Sequence, residues 1–80
     1  MRARIHITLK SGVLDPQGKA IQSSLGALGF TGVENVRQGK YIELDISEDD
    51  QAKAHEQLTQ MCEKLLANTV IENYIIDLET

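Results

Sequence analysis

The segment Leu9–Gly29, LKSGVLDPQGKAIQSSLGALG, holds a strand end, a tight connection, a helix start and a helix stop in one run. Asp15 is placed to cap a helix N-terminus, because its carboxylate accepts from an orphan backbone N–H two or three residues on. Pro16 suits the first helical position, where its missing N–H costs nothing and its φ is already helical. Ala20, Ile21, Ser24, Leu25 and Leu28 follow at helical spacing, with Lys19, Gln22 and Ser23 off that stripe. Gly29 fits the left-handed position after the helix, and Phe30 the position that closes a Schellman stop against Leu25. The spacing therefore predicts one well-punctuated helix between two extended segments.

Upstream, Ala3–Lys10 alternates cleanly, with Ala3, Ile5, Ile7 and Leu9 on one face and Arg4, His6, Thr8 and Lys10 on the other. That is a half-buried strand with a wet or partner-covered outer face. Downstream, residues 33–47 read as extended, most clearly where Ile42, Leu44 and Ile46 alternate with Tyr41, Glu43 and Asp45. Val36 shares parity with Ile42, so this stretch is either one strand bent at Gly39 or a hairpin. A two-residue turn at Gln38-Gly39 would put Val36 on the wrong face, which favours the bend or a three-residue loop. A second helix is expected from Ser47, with Glu48, Asp49 and Asp50 in its first turn, where acids complement the dipole. Its apolar stripe is Ala54, Leu58, Met61, Cys62, Leu65 and Leu66, and Asn68 stops it. Val70–Leu78 closes the chain as a strand apolar on both faces, Tyr74, Ile76 and Leu78 against Ile71 and Ile75. The outer face calls for cover by another subunit.

The order strand, helix, strand (bent or split), helix, strand describes a single α+β domain over residues 1–80. It is expected to be a small antiparallel sheet with both helices on one face, ferredoxin-like if the middle strand is split. Eighty residues bury only about 60% of their unfolded surface, so association is a natural supplement and a homo-oligomer, dimer or larger, is expected. A net charge of −4 argues against a nucleic-acid partner, which needs a basic field. The aromatic residues Phe30, Tyr41 and Tyr74 are too few for a base-stacking platform. No run is long and apolar enough for a membrane span, and the start alternates like a strand rather than a signal peptide. A lone cysteine rules out an internal disulfide framework, and a reducing, cytoplasmic setting is the simplest reading.

Catalytic chemistry is hard to find. Cys62 lies on an apolar helix stripe with no basic neighbour to lower its pKa, which reads as a buried structural thiol. His6 and His55 have no second ligand at zinc-site spacing and read as surface residues. Glu48, Asp49 and Asp50 read as helix-start acids before they read as a magnesium cluster. No glycine pattern matches a phosphate loop. Arg37 and Lys40, flanking Gly39, are the basic pair at the bend; they meet a phosphate or an acidic partner, or belong to a solvated turn, and the residues alone leave both open.

Three blocks say more: GVLDPQG, VRQGK and LLANTVIE, within LKSGVLDPQGKAIQSSLGALGF, VENVRQGKYIELDI and MCEKLLANTVIENYIIDLE. In this order and at this length they resemble the PurS subunit of phosphoribosylformylglycinamidine synthase across essentially the whole chain. The resemblance implies a small non-catalytic subunit of an ATP- and glutamine-dependent carbon–nitrogen ligase of de novo purine synthesis. It would promote assembly of the PurL synthetase subunit with the PurQ glutaminase subunit, with help in ammonia passage between them as a further implied role. It implies no catalytic, cofactor or metal residue on this chain, with ATP, magnesium and glutamine used by the partners. Asp15, Gln17, Arg37, Gly39 and Lys40 would belong to a docking surface. The competing class is a stand-alone ferredoxin-like regulatory dimer binding a small metabolite; an enzyme using the acid cluster is a weaker third.

Overall fold

The alternation of Ala3, Ile5 and Ile7 places the first strand at the centre of the sheet. In the computed structural model, which describes residues 1–79, the elements are β1 (Arg2–Leu9), α1 (Pro16–Ala27), β2 (Gly39–Asp45), α2 (Gln51–Met61) and β3 (Glu72–Glu79). The sheet order is β2-β1-β3, antiparallel throughout. β1 pairs from Arg2 with Asp45 to Thr8 with Gly39 on one side, and from Arg2 with Glu79 to Leu9 with Glu72 on the other. Flanked on both sides, β1 buries Ala3, Ile5 and Ile7 completely, whereas Ile42, Leu44, Tyr74, Ile76 and Leu78 on the edge strands are half-buried. Ala54, Leu58 and Cys62 from α2 close the core over them.

The fold class is the expected one, a small α+β protein with a three-stranded antiparallel sheet and two helices. Four details correct the expectation. Residues 33–47 are neither a bent strand nor a hairpin, since sheet pairing starts only at Gly39. A Cβ at Gly39 would come inside 3.0 Å of the Ile7 carbonyl oxygen, so glycine is what lets β2 enter that close. The preceding residues leave the sheet and run to α1, with Asn35 at φ 55°. The sheet therefore has three strands, with no split middle strand.

The second helix starts later than Ser47. Asp50, at an extended φ of −83°, accepts from the N–H groups of Ala52 (2.9 Å) and Lys53 (3.1 Å), and so caps a helix beginning at Gln51. Of the three acids, the last one does the capping. At its far end α2 widens into a turn over Cys62–Leu66, closed by an i→i+5 bond from Ala67 N–H to the Cys62 carbonyl (3.0 Å). This shifts the helical phase, so Leu65 faces solvent and does not continue the stripe. The Tyr74 hydroxyl donates to the Glu63 carboxylate at 2.8 Å and ties the wide turn to β3.

The last correction concerns α1. Its ends form as expected: Pro16 opens it, and Phe30 N–H to the Leu25 carbonyl (2.9 Å) with Gly29 N–H to the Gly26 carbonyl (3.1 Å) makes a Schellman stop, Gly29 at φ 98°. Yet α1 adds no side chain to the core, so α2 alone covers the sheet face; Ile21 and Leu28 remain exposed. An eight-residue strand spans about 26 Å and a twelve-residue helix about 18 Å. The longest dimension of 49 Å therefore sets α1 roughly end to end with the sheet, as an arm. The radius of gyration, 15.9 Å, exceeds the roughly 11.6 Å of a compact chain of this length.

Candidate functional site

The root of that arm is where the sequence blocks meet. The Asp15 carboxylate is buried, and both of its oxygens are used. Oδ1 accepts from Gly18 N–H at 2.8 Å, the expected cap, while Oδ2 accepts from Gln38 N–H at 2.7 Å. One side chain thus starts α1 and pins the segment before β2 against it. The Gln38 amide, then the Gly18 amide, hold this carboxyl below the ordinary aspartate range against the cost of burial, with help from the Arg37 charge. Gly18 is required by the same packing: a Cβ there would fall inside 3.0 Å of the Val36 carbonyl oxygen. Beside it, the Gln38 side-chain amide donates to the Gln17 side-chain oxygen.

Arg37 is a clamp. Its guanidinium donates to the carbonyl oxygens of Lys10 (2.9 Å), Val13 (3.1 Å) and Leu9 (3.3 Å), gathering the end of β1 and the following connection with one planar fork. Lys40 lies 3.4 Å from the Glu72 carboxylate, whose other oxygen accepts from Asn68 N–H at 2.7 Å. That amide first, and Lys40 after it, draw the Glu72 carboxyl below its usual range. Both basic residues are exposed, and each already has a partner within the chain.

All five residues expected at a docking surface are brought to one end of the sheet. Asp15, Gln17, Gly39 and Lys40, with Glu72, line a shallow cleft of about 280 Å³, and Arg37 lines a neighbouring cleft that shares Asp15. Sequence reasoning missed Gly18, Gln38, Asn68 and Glu72. Their signal was available, since Gly18 ends the first block, Gln38 lies within the second, and Asn68 and Glu72 lie within the third. Segments far apart in the chain converge here, which periodicity within one segment does not reveal.

The cleft presents the exposed polar side chains of Gln17 and Lys40 beside charges already partnered within the chain. Around the cleft each ionised group is satisfied by an amide, a carbonyl or an opposite charge. Cys62 is fully buried, and burial, followed by the nearby Glu63 charge, pushes its thiol pKa up, away from nucleophilic use. His6 lies on the outer sheet face against Tyr41, ring centroids 4.8 Å apart, and His55 is exposed on α2. Among the described residues no three His, Cys, Asp or Glu side chains gather as a metal-binding set, and no helix is long and apolar enough to cross a membrane. The outer face carries ion pairs of Arg2 with Glu43 and Asp45 and of Arg4 with Asp77 and Glu79.

Comparison with known proteins agrees over the whole length. Residues 2–80 match the family model described as PurS, phosphoribosylformylglycinamidine (FGAM) synthase. A phosphoribosylformylglycinamidine synthase subunit PurS from Synechocystis is 56% identical over 94% of this chain and 75% of its own. The Mycobacterium leprae protein of that name is 48% identical over 99% and 96%. The Bacillus subtilis PurS crystal structure superposes with a TM-score of 0.89 at 44% identity, covering 99% of this chain and 98% of its own. A chain in the Thermotoga maritima PurLQS structure does so at 0.87 and 33% identity, covering 95% and 93%.

Proposed function

Because the chain belongs to the PurS family of phosphoribosylformylglycinamidine synthase subunits, we propose that it is the small subunit that brings the synthetase and glutaminase subunits of that enzyme together. The family is a component of a carbon–nitrogen ligase of purine biosynthesis, and the chain contributes to that activity as a subunit. The observation that carries the assembly role is its likeness, across nearly its whole length, to a chain of the PurLQS structure. Counterparts of PurL and PurQ are its partners, in a complex that includes further copies of this chain. ATP, magnesium and glutamine are handled by those partners, the chain itself holding no cofactor, and the complex works in the cytoplasm.

The cleft end of the sheet is the docking surface in this reading. Asp15, Arg37 and Gly39 build its shape through their bonds to backbone, while Gln17 and Lys40 present exposed polar groups to the partner. Loops held on a rigid frame are where recognition residues gather, and this one is held by the bonds of both Asp15 oxygens and the Arg37 fork.

The test is reconstitution. Alone, the chain should show no glutaminase or ATPase activity. Added to its PurL and PurQ partners, it should raise glutamine-dependent synthesis far more than ammonia-dependent synthesis. Partners that couple glutamine to product equally well without it would end the assembly reading. Replacing Gln17 and Lys40 together by alanine should weaken complex formation while the circular dichroism spectrum stays unchanged.

A further inference from the structure

The helix α1 has two unlike sides. Ile21, Leu25 and Leu28 make the apolar one, while Lys19, Gln22, Ser23 and Gly26 recur at spacings of three and four and share the other. Along that polar side the segment from Phe30 to Gln38 returns to the sheet with no helix or strand of its own. Two cavities, of about 400 and 470 Å³, lie between helix and return segment and share Lys19 and Gln22. Together they form one trough along the arm. A long bond crosses it, from Val36 N–H to the Gln22 side-chain oxygen at 3.5 Å.

The two ends of the trough differ in chemistry. At the root, Lys19 and Arg37 bring positive charge, and Asn35, Asn73 and Ser11 add side-chain donors. Three of the five N–H donors of Arg37 serve the carbonyls of Leu9, Lys10 and Val13, which leaves two. The carboxylate lining this end is Asp15, and both of its oxygens are already bonded. The root therefore offers donors and positive charge with no negative charge to spare, which suits an oxyanion. At the tip, the chain's single phenylalanine, Phe30, closes the helix stop through its backbone, yet its side chain is left 58% exposed. Beside it lie Val33, Gly26 and the hydroxyls of Ser23 and Thr31. Gly18 lacks a side chain because the Val36 carbonyl leaves no room, but a Cβ at Gly26 would meet nothing within 4 Å. Glycine at that position weakens the helix with no gain inside the chain. It does leave a flat floor on which a ligand can approach the backbone closely.

We propose that the trough is a binding site for a free nucleoside monophosphate, with the phosphate between Lys19 and Arg37 and the ring on Phe30 above Gly26. Lys19 and Gly26 are seven residues apart, about 10 Å along the helix, enough to separate a ring from its phosphate by one sugar. Gln22, midway, faces the sugar. A bare anion would leave the Phe30 end unused, and an apolar molecule would leave the two cations unused. The net charge of −4 and the scarcity of aromatic residues exclude a nucleic-acid strand, which needs a basic field and a row of stacking rings. A single nucleotide needs one stacking ring and one cationic end, and the trough has both. The inference goes beyond the assembly role and does not depend on it.

The experiment titrates the isotope-labelled full chain with adenosine, guanosine, cytidine and uridine monophosphate, following amide shifts by NMR and affinity by calorimetry. The matching nucleosides and inorganic phosphate are the controls. At least one monophosphate should bind about tenfold or more tightly than both its own nucleoside and phosphate, with shifts along Lys19–Gly26 and Phe30–Arg37. Phe30→Ala should cost about tenfold in affinity for that monophosphate and leave phosphate binding as it was. Lys19→Gln should weaken both and flatten their dependence on salt. Gly26→Leu should raise Tm, since leucine is the better helix former, while weakening nucleotide binding by about tenfold, so that lost binding cannot be read as lost folding. Phosphate binding as tightly as every monophosphate, no shifts at millimolar nucleotide, shifts confined to other parts of the chain, or Gly26→Leu binding like the parent would each overturn the proposal. None of these measurements reads complex formation, so this failure and that of the assembly role are separable.

Discussion

Gly18 and Gly26 lie in the same helix, and replacing each by alanine should move stability in opposite directions. Alanine is favoured over glycine in a helix interior by about 0.8–1 kcal/mol, and by somewhat less in the first turn. At Gly26 a Cβ meets nothing within 4 Å. That residue sits beside Lys19, Gln22 and Ser23, on the side away from Ile21 and Leu28, so self-association does not enter. Gly26→Ala should therefore stabilise by up to about 1 kcal/mol. At Gly18 the new methyl would press on the Val36 carbonyl oxygen and on the Asp15 carboxylate. Neither can give way cheaply, because Gln38 N–H, two residues past Val36, is bound to that same carboxylate. Overpacking of this kind costs about 1–3 kcal/mol, which outweighs the helical gain and leaves Gly18→Ala about 1–2 kcal/mol less stable than the parent. In a chain this short each kcal/mol is worth roughly 4–8 °C in Tm. Urea titrations of the three proteins at one protein concentration, with unchanged m-values, measure the effect. A Gly18→Ala protein as stable as Gly26→Ala would refute the tight root of the arm.

Two further outcomes follow from the carboxylate and the thiol. Asp15 has its pKa lowered in the fold, so its contribution to stability is present above the ordinary aspartate value near 4 and is lost as pH falls through the lower folded value. Asp15→Asn keeps one acceptor oxygen but turns an N–H donor toward the other amide; its urea midpoint should lie below that of the parent at pH 7, with the gap narrowing as pH falls below the ordinary aspartate value, and a gap that stays constant down to acid unfolding would contradict the double acceptance. Cys62 should react slowly with a thiol reagent in native buffer and at an ordinary rate in urea, because the fold buries it and raises its pKa; equal rates in both would mean that α2 opens at this position.

Local grammar made the ends of α1 legible, since capping and Schellman stops depend on residues within a few positions of one another. Asp15, Pro16, Gly29 and Phe30 all took the expected places. The start of α2 was less so, because Glu48, Asp49 and Asp50 are each acceptable there and only the backbone at Asp50 decides. The exposure of Leu65 depends on one i→i+5 bond that shifts the phase, and no residue type demands such a bond. Asp15 was legible as a cap and Arg37 and Lys40 as a basic pair at a bend, but their grouping with Gln17 and Gly39 as a docking surface came from the family resemblance, not from a geometry. That Asp15 would hold Gln38, and Arg37 the carbonyls of Leu9, Lys10 and Val13, depends on a meeting of distant segments that alternation and spacing do not encode.

The place of β1 in the sheet bears on the order of events during synthesis. The strand made first is the middle one, and both of its neighbours come later, β2 from Gly39 and β3 from Glu72. A nascent chain emerging from the ribosome can pair β1 with β2 early, but the other side of the strand waits with its N–H and C=O groups open until β3 is out. Every β1–β3 contact spans more than sixty residues, from Leu9 with Glu72 to Arg2 with Glu79. Closure of such a long loop slows folding relative to a chain of this size with local pairings. For that interval the half-built sheet offers a bare edge, and high expression should expose it to strand-to-strand capture between ribosomes on one message, unless a chaperone or the arriving β3 covers it first.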